Sequence, residues 1–214
     1  MKKLYIIGAG GFGREVAWLI ERINKEKPIW DIQGFIDDDE ILYKNIEDGY
    51  EILGGCDYLE RQQDDIWCVC AVGSAVVRKQ IIERLLIHEN IHFATLIDPS
   101  VICSERVAIG EGSIVCAGTI LTVDIRIGKH VIINLDCTVG HDAVIDDFVT
   151  VYPSVNISGN VVIKEKVELG TGTQIIQGKN ICANSIIGAG SLVVKNIEEA
   201  GTYVGCPVKR LERV

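Results

Sequence analysis

Between Val101 and Ile197 the apolar positions of the chain recur with a strict period of six. Every sixth residue from Ile109 to Val193 is aliphatic, fifteen positions without exception. The positions two residues earlier, from Val107 to Ser191, are small or β-branched apart from Lys179. Glycine follows the aliphatic position at Gly110, Gly128, Gly140, Gly170 and Gly188, where a tight corner tolerates little else. An amphipathic α-helix has a period near 3.6 and cannot produce this pattern. A parallel β-helix can: each hexad supplies a short strand and a turn, three hexads make a triangular coil, and the aliphatic side chains stack inside the prism. Residues eighteen apart then lie above one another at the inter-strand spacing of ~4.8 Å.

Residues 1–97 obey different periods. KLYIIG reads as a buried parallel strand, GFGREVAWLIERI as a helix with an apolar stripe, DIQGFID and IWCVCAVG as further strands, and SAVVRKQIIERLL as a second helix. The expected architecture is therefore an α/β, Rossmann-like domain over 1–97 followed by a β-helix over 98–214, with Asp98-Pro99 at the boundary. Beyond Val193 the chain leaves the repeat, and Pro207 is expected to limit further strand pairing.

Composition narrows the function classes. A net charge of -9 without any block of Lys or Arg argues against a nucleic-acid or anionic-membrane surface, since both need clustered cations. No apolar run approaches the ~18 residues of a transmembrane helix. The short, glycine-rich run after Lys2-Lys3 is broken by Arg14 and Glu15 and reads as a strand, not a leader. Eight scattered cysteines without a Cys-x-x-Cys pair fit free thiols in a reducing compartment, so a soluble, cytoplasmic protein is expected.

Three groups of residues could carry chemistry. Gly8, Gly10 and Gly13 form G-x-G-x-x-G between a strand and a helix, a turn that lets backbone amides approach a phosphate. A single nucleotide or nucleotide sugar suits so short a domain; a dinucleotide, with Asp37, Asp38 or Asp39 on the ribose, and a turn serving packing alone are the alternatives. Asp37-Asp38 and Gly73 end two other strands on the same side. Of the four histidines, His88 and His92 fall in the inter-domain connector, where a surface or packing role is expected, while His130 and His141 fall at outward turn positions of the repeat. They do not stack, and a metal site needs at least three good ligands, so none is expected. Gly140 precedes His141, Asp142 follows it, and Gly159 lies one coil above. That set offers a base, a carboxylate to orient it, and a backbone N–H for an oxyanion.

Taken together, GAGGFGREV, GFIDD, AVG, NLDCTVGHDAVIDDF, SGNVVI and VGCPVK resemble the sialic acid O-acetyltransferase and bacterial nucleotide-amino-sugar N-acetyltransferase family, enzymes with a left-handed β-helix. The resemblance runs nearly the full length. It implies a homotrimer that binds acetyl-CoA in a groove between neighbouring β-helices and holds a nucleotide sugar on the N-terminal domain. By matching positions, His141 becomes the general base, Asp142 its partner, Asn134 a nearby polar group and Gly159 the donor to the thioester oxygen. Thr150, Gly159, Thr171 and Ala189 match acetyl-CoA contacts; Gly10, Gly11, Phe12, Asp37, Asp38 and Gly73 match nucleotide-sugar contacts. Phe12 and Thr150 stand where members of the amino-sugar branch carry histidines, and Val208 replaces the more usual alanine of the C-terminal motif. Direct N-acetylation of a nucleotide-linked amino sugar, a step of surface glycan biosynthesis, is the expected reaction. Sugar O-acetylation is the alternative, and a nicotinamide-dependent oxidoreductase and a non-catalytic scaffold stand behind it.

Overall fold

A computed structural model describes residues 1–212, and the chain divides into two compact units, Met1–Pro99 and Ser100–Val214. Positions 213 and 214 of the expected second domain lie outside the described residues.

The first unit is built on β1 (Lys2–Ile7), α1 (Gly11–Glu26), β2 (Trp30–Ile36), β3 (Ile46–Glu47), β4 (Tyr50–Gly54), α2 (Cys56–Glu60), β5 (Ile66–Cys70), α3 (Ala75–Leu85) and β6 (Ile91–Phe93). Its sheet has the order β3-β4-β2-β1-β5-β6. Leu4, Tyr5, Ile6 and Ile7 are all buried, as a strand covered on both faces requires. Val16, Ala17, Leu19 and Ile20 form the buried stripe of α1. After β1 the chain builds β2 and β4 on one flank, then returns to place β5 on the other. That reversal opens a crevice at the carboxyl ends of β1, β2 and β5. The β3–β4 hairpin escaped the sequence reading, although Asp48-Gly49, with φ of 47° and 90°, is the two-residue turn signal for it.

The second unit is the expected β-helix, and its register holds through every coil. Strands from Ile114–Val115 to Ile186–Ile187 form the first face, Ile102–Cys103 to Leu192–Val193 the second, and Ala108–Ile109 to Asn180–Ile181 the third. Pairs such as Ile114↔Ile132, Thr138↔Asn156 and Val144↔Val162 are eighteen residues apart. The aliphatic column from Val115 to Val193 and the small-residue column beside it fill the prism.

Gly110, Gly140 and Gly170 stand at tight corners, as expected, because the coils approach closely: an added Cβ on Gly140 would lie 2.6 Å from Gly159 N, and one on Gly170 2.6 Å from Ala189 N. The positive-φ positions are separate and fall on every sixth residue from Gly112 to Gly190. Asp124, Asp136, Asp142, Asn160 and Asn184 occupy such left-handed positions, which Asn and Asp tolerate better than most residues. Two expectations need correction. First, His130 is not an outward side chain: it is buried, with its ring stacked on Phe148 one coil above, centroids 5.2 Å apart. Second, pairing continues past Val193, because Thr202–Val204 pairs with Ile186–Ile187 before Pro207 and Lys209–Arg210 folds back antiparallel after it.

Candidate active site

His141 leads the turn between the second and third faces, just after the strand Thr138–Val139 and Gly140. Its side chain is half exposed, and Nδ1 lies 2.8 Å from Asp142 Oδ2. A proton held on Nδ1 by that carboxylate leaves the lone pair on Nε2, the form a base requires. Asp142 reaches Nδ1 from a left-handed backbone, φ 60°. The coil above is pinned by Asn160 N–H, which donates to His141 O at 2.8 Å.

Gly159 sits directly over the ring. An added Cβ there would lie 2.5 Å from both His141 Cε1 and Nε2, so the glycine creates the space beside the basic nitrogen. Among the described residues no acceptor takes the Gly159 N–H. A base and a free amide donor thus adjoin one gap, the arrangement an acyl transfer needs.

The remaining β-helix candidates do not gather at that corner within one chain. Asn134, almost buried, opens the turn between the first and second faces and accepts Leu135 N–H at 2.7 Å through Oδ1. Thr171 and Ala189 lie on the same corner as Asn134, stacked one coil apart, with Gly190 N–H donating to Thr171 O at 2.8 Å. Thr150 lies on the first face and is 1% exposed.

In the first unit the nucleotide candidates surround the crevice. Gly10 caps α1 without a side-chain hydrogen bond, and nothing stands within 4 Å of an added Cβ. The unpaired amides of the first helical turn are therefore approachable at Gly10, Gly11 and half-buried Phe12. Gly13 serves packing, since a Cβ there would overlap Gly8 O. Asp37 accepts from Ala9 N–H and Asp39 N–H, each at 3.0 Å, and Asp38 accepts from Cys56 N–H at 2.8 Å. Both aspartates thus brace the rim of the crevice. A cavity of about 200 Å³ opens between Gly8, Asp37, Asp38, Cys56, Val72, Val77 and Ile81. Burial, with Asp38 close by, pushes the Cys56 thiol up to about 12, which makes it an inert wall.

Sequence reading missed Arg78. Its side chain is 1% exposed, and Nη1 donates to Val72 O at 2.7 Å and Gly73 O at 3.0 Å, fixing the β5–α3 loop that carries Gly73. The available signal was position: Arg78 falls on the buried stripe of α3 with Ala75, Ile82 and Leu85. Among the described residues, no helix is long and apolar enough to cross a membrane, and no group of three His, Cys, Asp or Glu side chains is arranged to hold a metal ion.

Residues 3–85 match the PglD N-terminal domain. GDP-perosamine N-acetyltransferase from Escherichia coli O157:H7 is 28% identical over 173 residues, which are 81% of this chain and 77% of that protein. The acetyltransferase domain of PglB from Neisseria gonorrhoeae FA1090 is 30% identical with a TM-score of 0.89, covering 99% of this chain and 100% of that one. The chain belongs to the bacterial nucleotide-amino-sugar N-acetyltransferase family. It is an acetyl-CoA-dependent acetyltransferase, and its β-helix is left-handed. The gonococcal domain has also been solved in complex with acetyl coenzyme A, at 29% identity and a TM-score of 0.88 over 98% of this chain and 99% of that one. A variant of perosamine N-acetyltransferase from Caulobacter crescentus, in complex with CoA and GDP-perosamine, gives 25% and 0.89 over 100% of this chain and 98% of that one. Family membership sets aside the oxidoreductase and the inert scaffold as readings of this acetyltransferase.

Proposed function

We propose that this acetyltransferase moves the acetyl group of acetyl-CoA to the amine of a nucleotide-linked amino sugar in the cytoplasm, for use in a surface glycan. The observation that carries the chemistry is the gap between His141 Nε2 and the unoccupied Gly159 N–H. His141 takes a proton from the acceptor amine as its nitrogen attacks the thioester carbonyl, and the Asp142 carboxylate stabilises the resulting imidazolium. Gly159 N–H donates to the tetrahedral oxyanion. Collapse expels the CoA thiolate, which takes the proton back from His141, and no acyl-enzyme forms. General base catalysis of this kind contributes ~10²–10⁴-fold, and one oxyanion donor ~10²–10³-fold. The crevice of the first unit holds the nucleotide: its diphosphate meets the amides of Gly10, Gly11 and Phe12, and the rim of Asp37, Asp38 and Gly73 meets the nucleoside. The relatives named for perosamine N-acetylation support the amine over a hydroxyl.

The working enzyme is a homotrimer. One side of the prism, six residues long, spans at most ~20 Å, and it separates the His141–Gly159 corner from the Asn134, Thr171 and Ala189 corner. A neighbouring subunit can set its own Asn134 corner across the gap from His141, so that acetyl-CoA is held by two chains. Light scattering should give three times the 23.5 kDa chain mass. Mixing His141→Ala subunits with subunits disabled at Thr171 should restore activity.

The chemistry is tested by CoA release over a panel of nucleotide-linked amino sugars, their hydroxy analogues and free sialic acid. Release with an amino sugar nucleotide alone is expected. Release only with hydroxyl acceptors overturns the amine assignment.

A further inference from the structure

The left-handed turn position recurs in successive coils, so its residues form a column along each corner of the prism. On the corner that carries His141 the column runs Asp124, Asp142, Asn160 and Gly178, with φ of 56°, 60°, 56° and 71°. Arg106 stands eighteen residues before Asp124, one coil further down. On the other two corners no two neighbours in the column carry the same charge. Here two carboxylates stand one directly above the other. The stacking is pinned by the Asp142 N–H, which donates to Val123 O at 3.1 Å, and by the strand register Arg126↔Val144 that follows the turn.

Like charges placed opposite one another on neighbouring strands repel, so the pair costs stability unless cations relieve it. Two groups adjoin it. At the lower end Arg106 Nε lies 3.6 Å from Asp124 Oδ1, and at the upper end His141 Nδ1 lies 2.8 Å from Asp142 Oδ2. The second is a cation only when it has taken a proton. With each coil rising ~4.8 Å, the Asp124 carboxylate lies within ~8 Å of the His141 ring. Both carboxylates are about half exposed, so the field of Asp124 at the ring is weakened by water and screened by salt. Gly159 and Asn160, directly above the turn, carry no charge. The other charged groups around the turn are Glu105 and Arg106 two coils below the ring, Arg126 on the third face, and Lys179 and Lys195 two and three coils above. Asp142 and Asp124 are therefore the nearest carboxylates in the column.

We propose that Asp124 is a positioning residue for the general base: its charge, set beneath Asp142, favours the imidazolium of His141, and Arg106 governs how much of that charge the ring feels. This deepens the acetyltransferase reading and rests on His141 as the base. As the acceptor amine attacks, His141 takes its proton, and the stacked carboxylates gain a second cation. Repulsion present in the resting enzyme is relieved as the transition state forms, which is where stabilisation raises the rate.

The test compares wild type, Asp124→Asn and Arg106→Gln by the pH dependence of His141 carbethoxylation with diethyl pyrocarbonate, which attacks only the neutral ring and needs no acceptor. Reaction at the other histidines is subtracted with His141→Ala. At low salt the midpoint should move down by ~0.3–0.7 pH unit in Asp124→Asn. In Arg106→Gln it should move up, by less, since Arg106 is a coil further away. In ~1 M NaCl both shifts should collapse. Asn is at home in a left-handed turn, so the melting temperature of Asp124→Asn should not fall. The acid limb of kcat/KM, followed by CoA release, should move with the carbethoxylation midpoint. Coincident midpoints, shifts of the same sign in both variants, or shifts that survive high salt would each overturn the assignment, the last two because they mark a change of structure instead of charge. The two layers separate cleanly: wild-type turnover in His141→Ala removes the base and this proposal together, whereas an inactive His141→Ala protein with unshifted Asp124→Asn and Arg106→Gln midpoints removes the Asp124 assignment alone.

Discussion

Both units present backbone amides at the edge of a ligand space, and they reach that end by opposite routes. In the first unit the amides at Gly10 and Gly11 are available because α1 begins beside β1, and the crevice exists only because β2 and β5 flank that strand from distant parts of the chain. In the second, Gly159 N–H lies beside His141 because two turns eighteen residues apart stack in a repeating coil. One site is made by non-local topology and the other by a local period. Glycine differs accordingly: Gly13 makes room for the fold, against Gly8 O, while Gly159 makes room beside the His141 ring.

The sharpest way to break this contrast is His141→Ala, the largest expected effect on activity. Turnover should fall ~10²–10⁴-fold with acetyl-CoA affinity and the melting temperature unchanged, because the ring is half exposed on a turn. Wild-type turnover in the variant would remove His141 from the mechanism.

Next come two Gly→Ala changes that should fail in different ways. Gly159→Ala crowds a side chain that can swing aside, so the protein should fold, while kcat drops ~10²-fold as the base and donor lose their alignment. Gly13→Ala forces a methyl group against backbone, and overpacking of this kind costs about 1–3 kcal/mol or more. Trp18, Trp30 and Trp67 all lie in the first unit, so tryptophan fluorescence should report its loss of structure while far-ultraviolet circular dichroism keeps the β-helix signal. A folded, inactive Gly13→Ala protein would contradict the distinction.

Arg78→Met should destabilise the first unit by about 1–3 kcal/mol, since it removes the buried guanidinium that donates to the carbonyls of Val72 and Gly73. The KM for the nucleotide sugar should rise with kcat retained. A change in kcat alone would argue against a role in shaping the crevice.

Alkaline pH gives a milder test. Burial holds the thiols of Cys56 and Cys70 protonated, pushed up to about 12 and about 11, and raises Cys68 as well, whereas the second unit has Cys137, at about 11, among its deeply buried thiols. Because the folded-state values lie above the ordinary thiol value, the stabilisation is complete below pH ~9 and is lost as pH climbs toward 11–12. With three such thiols, the first unit should lose stability over that window; a fluorescence melting midpoint that does not move between pH 9 and pH 11 would count against it. The smallest effect belongs to Val155→Thr, at a slot where Thr119 and Thr173 already occur. It should cost no more than about 1 kcal/mol, and denaturant titration would detect a larger penalty.

The repeat, the faces of the prism, and the stacking of Gly159 over His141 were all legible in the residues alone, because a coil of three hexads converts sequence separation directly into height. The glycine turn and its strand–helix context were legible for a similar reason, being local. What the chain order alone could not convey is what depends on distant segments. His130 is buried because Phe148, on the coil above, covers it. Asp37 and Asp38 brace Ala9 and Cys56 because β1, β2 and α2 converge. Arg78 folds its charge beneath Val72 and Gly73. Each of these is a side chain choosing among several possible partners, and only the packed tertiary structure, where an unpaired buried polar group is costly, settles which partner it takes.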